Sequence, residues 1–582
     1  MSFRVERWRE WTEGTHGPWF ELCRHFFQRF FDSDLVATPG QWRVVAGGAI
    51  GVVASLVLVF TQSYYSKYLA LLELDTGEPY RKAMIADHLF FITLSMLLTG
   101  LFTALTWQSL FPSRRDYLAL AGLPVTPRQI FGAKAAALLM LAGAFIVAVN
   151  LLPSGILSAI AFGRYQRDAF LNVVTLFTAA SMAGLFMFFL LVAAQGALLS
   201  VMPARWLQAA TLFSQGVLLI LLLCALPLAV PIPGLYWAMD ERPEFVRWLP
   251  PVWFLAADQF VLGNREPFVR ELAVMAWRAV PAAGSVAGAA YLWSYWFHRV
   301  SVLESTGEAG GRAASSRNRT GSLGEALLPR PQELAVFSFM AKTLARSGAH
   351  RLALTGYAGI GIAIVAATFA AVAMSPSFRG FAVRTMALQQ AAVAAPLALS
   401  LFLLTGFRYV FRLPVELRAN WVFQVNEGGN RRMFLDAAER FLLWLGVAPV
   451  LLIAAPAEVA LLGWQDGVVA LVFVSLTVLL LVELLLLPFQ KVPFTCSYLP
   501  GKRSLAETVL FFGVAAAVYI YGLSLVFARV LPEPPLALSI FGLQLAAWAY
   551  LRRARKEGAV LGKLEFEEEL EPAVTELGIG RD

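Results

Sequence analysis

Residues Ser113–Lys134 read SRRDYLALAGLPVTPRQIFGAK and separate two apolar stretches, His88–Trp107 and Ala135–Ala161. Each of those stretches is long enough to cross about 30 Å of hydrocarbon as a helix. A second polar, proline-containing segment, Arg408–Arg440, separates Ala387–Phe407 from Phe441–Gly463 in the same way. Working outward from these two segments, the chain resolves into about twelve apolar stretches in two sets of six. The remaining members of the first set are Trp42–Thr61, Phe170–Val201, Gln208–Val230 and Leu272–Phe297. Those of the second are Leu352–Met374, Val468–Phe489, Thr508–Val530 and Leu536–Leu551. In each set the polar segment follows the second stretch. The repeat is one of pattern, because no long identical run recurs. The expected fold is an all-α integral membrane protein of about 12 transmembrane helices in two six-helix halves.

Composition agrees with that reading. The 582 residues are 58% hydrophobic and only 15% charged, with a mean hydropathy of +0.64. Soluble chains carry roughly a quarter of charged residues, so a large water-soluble domain is excluded. Runs of small residues, Gly284–Ala290 and Gly356–Ala371, suit close helix packing. With the N-terminus in the cytoplasm, the segments on that side hold most of the 47 Lys and Arg. This bias places both termini and both polar segments in the cytoplasm. The net charge of +8 is then a matter of topology and does not imply nucleic acid. Cys23, Cys224 and Cys496 are too far apart to imply a disulfide framework or a metal knuckle. The polar, aromatic start is unlike a cleaved signal peptide. Asn318-Arg319-Thr320 falls on the cytoplasmic side, where its fit to a glycosylation pattern is chance.

The organisation expected is residues 1–41 as an amphipathic start, 42–300 and 351–551 as the two membrane halves, 301–350 as a cytoplasmic linker with a second amphipathic helix, and 552–582 as a cytoplasmic tail. In the first of these, Trp19, Leu22, Phe26 and Phe30 recur at helical spacing, opposite Glu21, Arg24, Gln28 and Asp32. Such a helix is expected to rest in the headgroup layer, the alternative being a helix packed on neighbouring spans. The Gly-, Ala-, Ser- and Arg-rich stretch Ser305–Arg330 reads as a flexible linker. After it, Val336, Phe337, Met340 and Leu344 give Glu333–Arg346 an apolar face, opposite Ser338, Lys342 and Arg346. The outer loop Pro231–Glu271 is too apolar for solvent at Trp248–Leu255 and Phe260–Leu262, and predicts a pair of interfacial or re-entrant helices. Its counterpart Arg529–Pro535 is a short connection. Arg552–Lys556 reads as an anchor at the inner surface and Glu565–Glu571 as a solvated acidic run.

Signatures of catalysis are missing. There is no HExxH pair, no Gly-x-Ser-x-Gly elbow, and the five histidines lack ligand spacing. Gly501-Lys502 lacks the upstream glycine of a phosphate-binding loop, and Arg503 stands where Ser or Thr is needed. The chain is therefore read as a non-enzyme without its own ATP site, metal or cofactor. The polar segment instead predicts a short helix, Asp116–Ala121, and a turn at Pro124. Thr126 then caps the next helix, with Pro127 first and Gln129 third. Among ionisable residues within spans, Glu483 interrupts Val478–Leu487 and must be paired, protonated or facing water. It is read either as a bond to a neighbouring helix or as part of a transport path. Glu458 and Arg278 are expected to reach the interface, and Asn150 before Pro153 to mark a kink with a satisfied amide.

The pattern Asp116-x-x-x-Leu120, Leu123-Pro124-x-Thr126-x-x-x-Ile130 and the trailing Lys134 resembles the permease subunits of type-2 ABC exporters. Leu413–Phe423 resembles the same block in their fused twelve-span forms. The resemblance covers most of the chain. It implies six spans per half, an amphipathic helix before the first, a coupling helix between spans two and three, and re-entrant helices between spans five and six. The short outer loop of the second half departs from that pattern. The function implied is export of an unidentified cargo across a bacterial cytoplasmic (inner) membrane; the small apolar residues of the spans hint at an amphipathic one. Separate ATP-binding-cassette ATPase subunits, two copies per chain, would carry ATP and Mg and dock under the two polar segments. The resemblance assigns docking to Asp116, Leu120, Leu123, Pro124 and Arg128 in the first segment, and to Pro414, Glu416, Leu417, Arg418 and Trp421 in the second. Membrane lipids are the other partner, with a homodimer the less favoured assembly. Two other readings stand beside it. One is a proton- or ion-coupled twelve-span secondary transporter, which needs paired charges and broken helices near the midplane. The other is a membrane enzyme acting on lipid-linked substrates, which needs clustered polar residues at one membrane face.

Overall fold

A long apolar run without water must close its peptide hydrogen bonds within itself, and the helix is the form that does so in one segment. The computed structural model describes residues 17–29, 64–74, 77–112, 116, 120, 125–161, 168–230, 244–304, 331–374, 381–413, 432–487, 489, 492–495, 505–530 and 533–561. Among them all regular structure is helical, and eleven helices are long and apolar enough to cross a membrane. They coincide with the second to twelfth expected stretches; Trp42–Thr61 lies outside the described residues. The chain is an all-α, multi-pass membrane protein. It divides into two compact units, Met1–Ala314 with Ser504–Ala506, and Ser315–Arg503 with Glu507–Asp582.

The first unit contains α1 (Gly17–Arg29), α2 (Glu78–Leu105), α3 (Pro127–Ile160), α4 (Ala169–Val201), α5 (Ala204–Ala229), α6 (Pro250–Val261) and α7 (Pro267–Glu304). A helical stretch at 64–72 precedes α2. The central helix is α4, which packs on α2, α3, α5, α6 and α7. Small residues let the backbones approach: a Cβ added at Gly196 of α4 would lie 2.5 Å from the Cβ of Ala290 in α7.

The second unit contains α8 (Pro331–Arg346), α9 (Gly348–Met374), α10 (Phe381–Val410), α11 (Arg432–Phe441), α12 (Ala448–Leu462), α13 (Trp464–Leu486), α14 (Leu505–Ala517) from Glu507 onward, α15 (Leu523–Val530) and α16 (Pro534–Leu561). Here α10 is central and packs on α9, α12, α13 and α15. Gly406 of α10 meets Tyr357 of α9, where an added Cβ would lie 2.7 Å from the tyrosine Cβ. Single π-helical segments, Leu442–Val447 and Val518–Gly522, join α11 to α12 and α14 to α15. On the outer faces of the spans, large side chains such as Phe213, Leu452 and Leu538 are exposed, as lipid-facing positions require.

Several expectations are corrected here. The apolar face of α1 does not simply rest on headgroups. Leu22, Cys23 and Phe26 are buried against Ile130, Ala133 and Ala137 of α3, whose alanines admit a close helix. This is the packed alternative; Trp19 and Phe20 remain exposed. Burial pushes the Cys23 thiol up, so it packs as a small apolar group and not as a reactive thiolate. Of the loop after α5, residues 231–243 lie outside the described residues, and the rest holds a 3₁₀ turn at Glu244–Trp248 followed by the helix α6. Phe254, Leu255 and Ala256 are fully buried where α6 packs on α2, α4 and α7. Asn150 is buried with its amide nitrogen unpaired, and Glu458 is 1% exposed with no hydrogen bond to either carboxylate oxygen. The helix carrying Glu458 packs closely on α13 through Gly467, which keeps the carboxyl from the interface. Arg552–Lys556 continues α16 as helix to Leu561. Ser305–Arg330 and Glu565–Glu571 lie outside the described residues.

Candidate functional site

Among the described residues between α2 and α3, Asp116 forms a buried ion pair with α3. Asp116 is 2% exposed and Lys134, in the second turn of α3, is 5% exposed. Lys134 Nζ donates to Asp116 Oδ2 at 2.8 Å and also lies 5.4 Å from the centre of the Phe26 ring of α1. Leu120 fills the cluster made by Leu22, Cys23, Phe26, Ile130, Ala133 and Ala137. The helix start is fixed locally. Thr126 Oγ1 accepts from Gln129 N at 3.4 Å, and Gln129 Oε1 accepts from Thr126 N at 2.8 Å. This is the reciprocal cap expected from the sequence, with Pro127 opening the helix. One charge-assisted bond, one cation over a ring and one capped turn thus bind α1, Asp116 and the start of α3 into a single block. Thr126 and Arg128 are exposed on it.

The second unit repeats the plan with different residues. The helix before its first span, α8, packs on α11, which begins the helix after the second polar segment. Glu333 of α8 is fully buried, and its carboxylate lies 2.6 Å from the Arg440 guanidinium of α11, off the hydrogen-bond direction. Phe337 of α8 packs on Phe441. Val336 and Met340 are buried while Lys342 and Arg346 are exposed, as the amphipathic pattern predicts. The end of α10 is tied down as well: Arg408 Nε donates to the Leu485 carbonyl at 2.9 Å, and His350 Nε2 lies 3.1 Å from the Leu413 carbonyl.

The structure therefore brings Asp116 and Leu120 together, but turned inward. Arg128 is the described docking candidate that faces outward. Leu123, Pro124, Pro414, Glu416, Leu417, Arg418 and Trp421 lie outside the described residues. Glu483 is 1% exposed and accepts from Arg555 Nε of α16 at 2.7 Å, which is the helix-to-helix bond weighed from sequence. Arg555 also donates to Glu439 of α11. Among the described residues no three His, Cys, Asp or Glu side chains gather as a metal site would need.

A second polar cluster lies at the opposite end of the first unit, where α2 begins. His88 Nδ1 and Asp258 Oδ2 of α6 are 2.8 Å apart, and both side chains are fully buried. The adjacent Asp87 turns the other way, accepting from Lys67 Nζ at 2.7 Å and Tyr68 Oη at 2.8 Å. Burial first, and the Asp87 carboxylate second, push the Tyr68 phenol far up, so it remains a donor. Two consecutive residues of α2 thus hold the 64–72 stretch and α6. Sequence reading missed this because the partners in the buried pair are 170 residues apart. His88→Phe keeps the ring but leaves Asp258 with only the Gln259 amide, 3.0 Å away. We expect a loss of about 3 kcal/mol, since an unpaired buried charge remains. His88→Phe with Asp258→Leu should recover most of it. Thermal unfolding of the two variants checks this, and equal midpoints for His88→Phe and the parent would contradict it. No family model, curated protein or solved structure matches this chain.

Proposed function

We propose that this chain is the permease subunit of an ATP-binding-cassette exporter in a bacterial cytoplasmic membrane. Twelve spans form two six-span halves, with Trp42–Thr61 as the first span and both termini cytoplasmic. ATPase subunits, two copies per chain, dock under Asp116–Arg128 and Pro414–Arg432 and supply ATP and Mg. The observation that carries the reading is the block formed by Asp116, Leu120, Lys134 and α1. A segment between spans that served only as a connector would not need a buried ion pair. One that must pass a push into α3 needs to be stiff, and Asp116 and Leu120 are held against the first turns of that helix. The packing of α8 on α11 supports the same arrangement in the other half. In this scheme Arg128 touches the ATPase, while Asp116 and Leu120 position the surface that does so. Glu483, paired with Arg555, braces helices and does not line the cargo path.

A second reading, a proton-coupled transporter, has Glu458 in its favour, a buried carboxyl within a span and without a hydrogen bond. The test is purification from native membranes followed by reconstitution into vesicles. The exporter reading expects an ATP-binding protein to co-purify and cargo to move only with ATP. Movement driven by a proton gradient without ATP, and lost in Glu458→Gln, would replace it with the second reading.

A further inference from the structure

The second polar segment enters its span through α11, and α11 is held on two sides by buried charge. Arg440 meets Glu333 of α8. Glu439, the preceding residue, meets Arg555 of α16, with Arg552 3.4 Å away. The same Arg555 donates to Glu483 of α13 at 2.7 Å. Glu333, Glu439, Glu483 and Arg555 are all more than nine-tenths buried. One guanidinium therefore bridges carboxylates on two other helices, 72 and 116 residues earlier in the chain. Buried ion networks are a poor way to gain stability, because apolar side chains of similar volume do as well. What they give is a fixed geometry, through charge-assisted bonds roughly twice as strong as neutral ones. Directly after α11 the backbone leaves the α-helix for the π segment Leu442–Val447, a form that often marks functional sites within helices.

We propose that Arg555 is a positioning residue that joins α11, α13 and α16 into one body hinged at Leu442–Val447, so that movement of α11 reaches the last span. The use of that movement in export rests on the function proposed above; the mechanical link does not.

The test uses the full chain in lipid nanodiscs and follows amide hydrogen exchange by mass spectrometry. Arg555→Gln leaves two carboxylates unbridged and could simply misfold. The triple variant Glu439→Gln, Glu483→Gln, Arg555→Gln removes all three charges and keeps shape and hydrogen-bonding groups. In the triple variant, exchange in α11 and in the last turns of α16 should both rise by about tenfold, the scale of one weakened charge-assisted bond, with α2–α7 unchanged. Parental protection of α11 would overturn the proposal. In reconstituted vesicles with the ATPase bound, the triple variant should hydrolyse ATP but export about tenfold more slowly. Parental export would overturn the coupling role. If no ATPase binds the parent chain, the functional reading fails and the exchange result alone decides the link.

Discussion

Replacing Lys134 by alanine is expected to destabilise the first unit by about 3–5 kcal/mol. The Asp116 carboxylate lies 2.8 Å from the ammonium and is almost wholly buried. Without Lys134 it would stay buried without the ammonium that donates to it, and the Phe26 ring of α1 would lose its cation too. At about 2–4 °C per kcal/mol for a unit of this size, the thermal midpoint should fall by roughly 10 °C. The loss comes mainly from a buried carboxylate that has lost its ammonium and less from the bond itself. Asp116→Leu with Lys134→Met, which removes both ions and keeps the volume, should therefore regain most of the midpoint. Intrinsic tryptophan fluorescence in detergent can follow all three proteins. A single variant that melts with the parent would mean that the pair does not hold the block together.

Arg128→Glu is expected to weaken ATPase binding by at least about tenfold while leaving the chain as stable as before, or slightly more so. The two effects have opposite signs for a physical reason. Arg128 sits in the first turn of α3, where the exposed N–H groups carry partial positive charge. A cation there is unfavourable by roughly 0.3–1 kcal/mol, and a carboxylate is favourable by a similar amount. Helix stability therefore does not explain an arginine at this position, whereas the docking contact proposed above would. A charge reversal at such a contact juxtaposes like charges across the interface, which costs several kcal/mol. Pull-down of the ATPase and the melting curve should be measured on the same sample. Unchanged binding would remove Arg128 from the interface, and a fall in both would show that the substitution had only damaged the block.

What was legible in the sequence was whatever depends on neighbours along the chain. The spans follow from apolar runs, and the cap at Thr126 and Gln129 from a three-residue motif. The period of α1 and α8 shows which face of each is apolar, but periodicity does not say what covers it. Leu22 and Phe26 could have met lipid as readily as α3, and the alanines at 133 and 137 decide the matter. Glu483 stood out as a buried carboxylate needing a partner. Its partner looked like the start of a basic tail, because Arg555 reaches Glu483 only once α16 has been packed on α13. His88 and Asp258 left no local trace, since either alone reads as an ordinary residue at a span end or in a loop. Glu458 was misplaced for the converse reason. A polar group near a helix end is usually taken to reach water, and close packing, as at Gly467, prevents it for Glu458.

The most direct test of two like footings driven from one side is their sidedness. Thr126→Cys and Glu416→Cys, in a background with Cys23, Cys224 and Cys496 replaced, can be labelled with a membrane-impermeant maleimide in vesicles of known orientation. Both should react from the cytoplasmic face and neither from the opposite face. Labelling of one position from each face would contradict the shared drive from ATPases below the membrane.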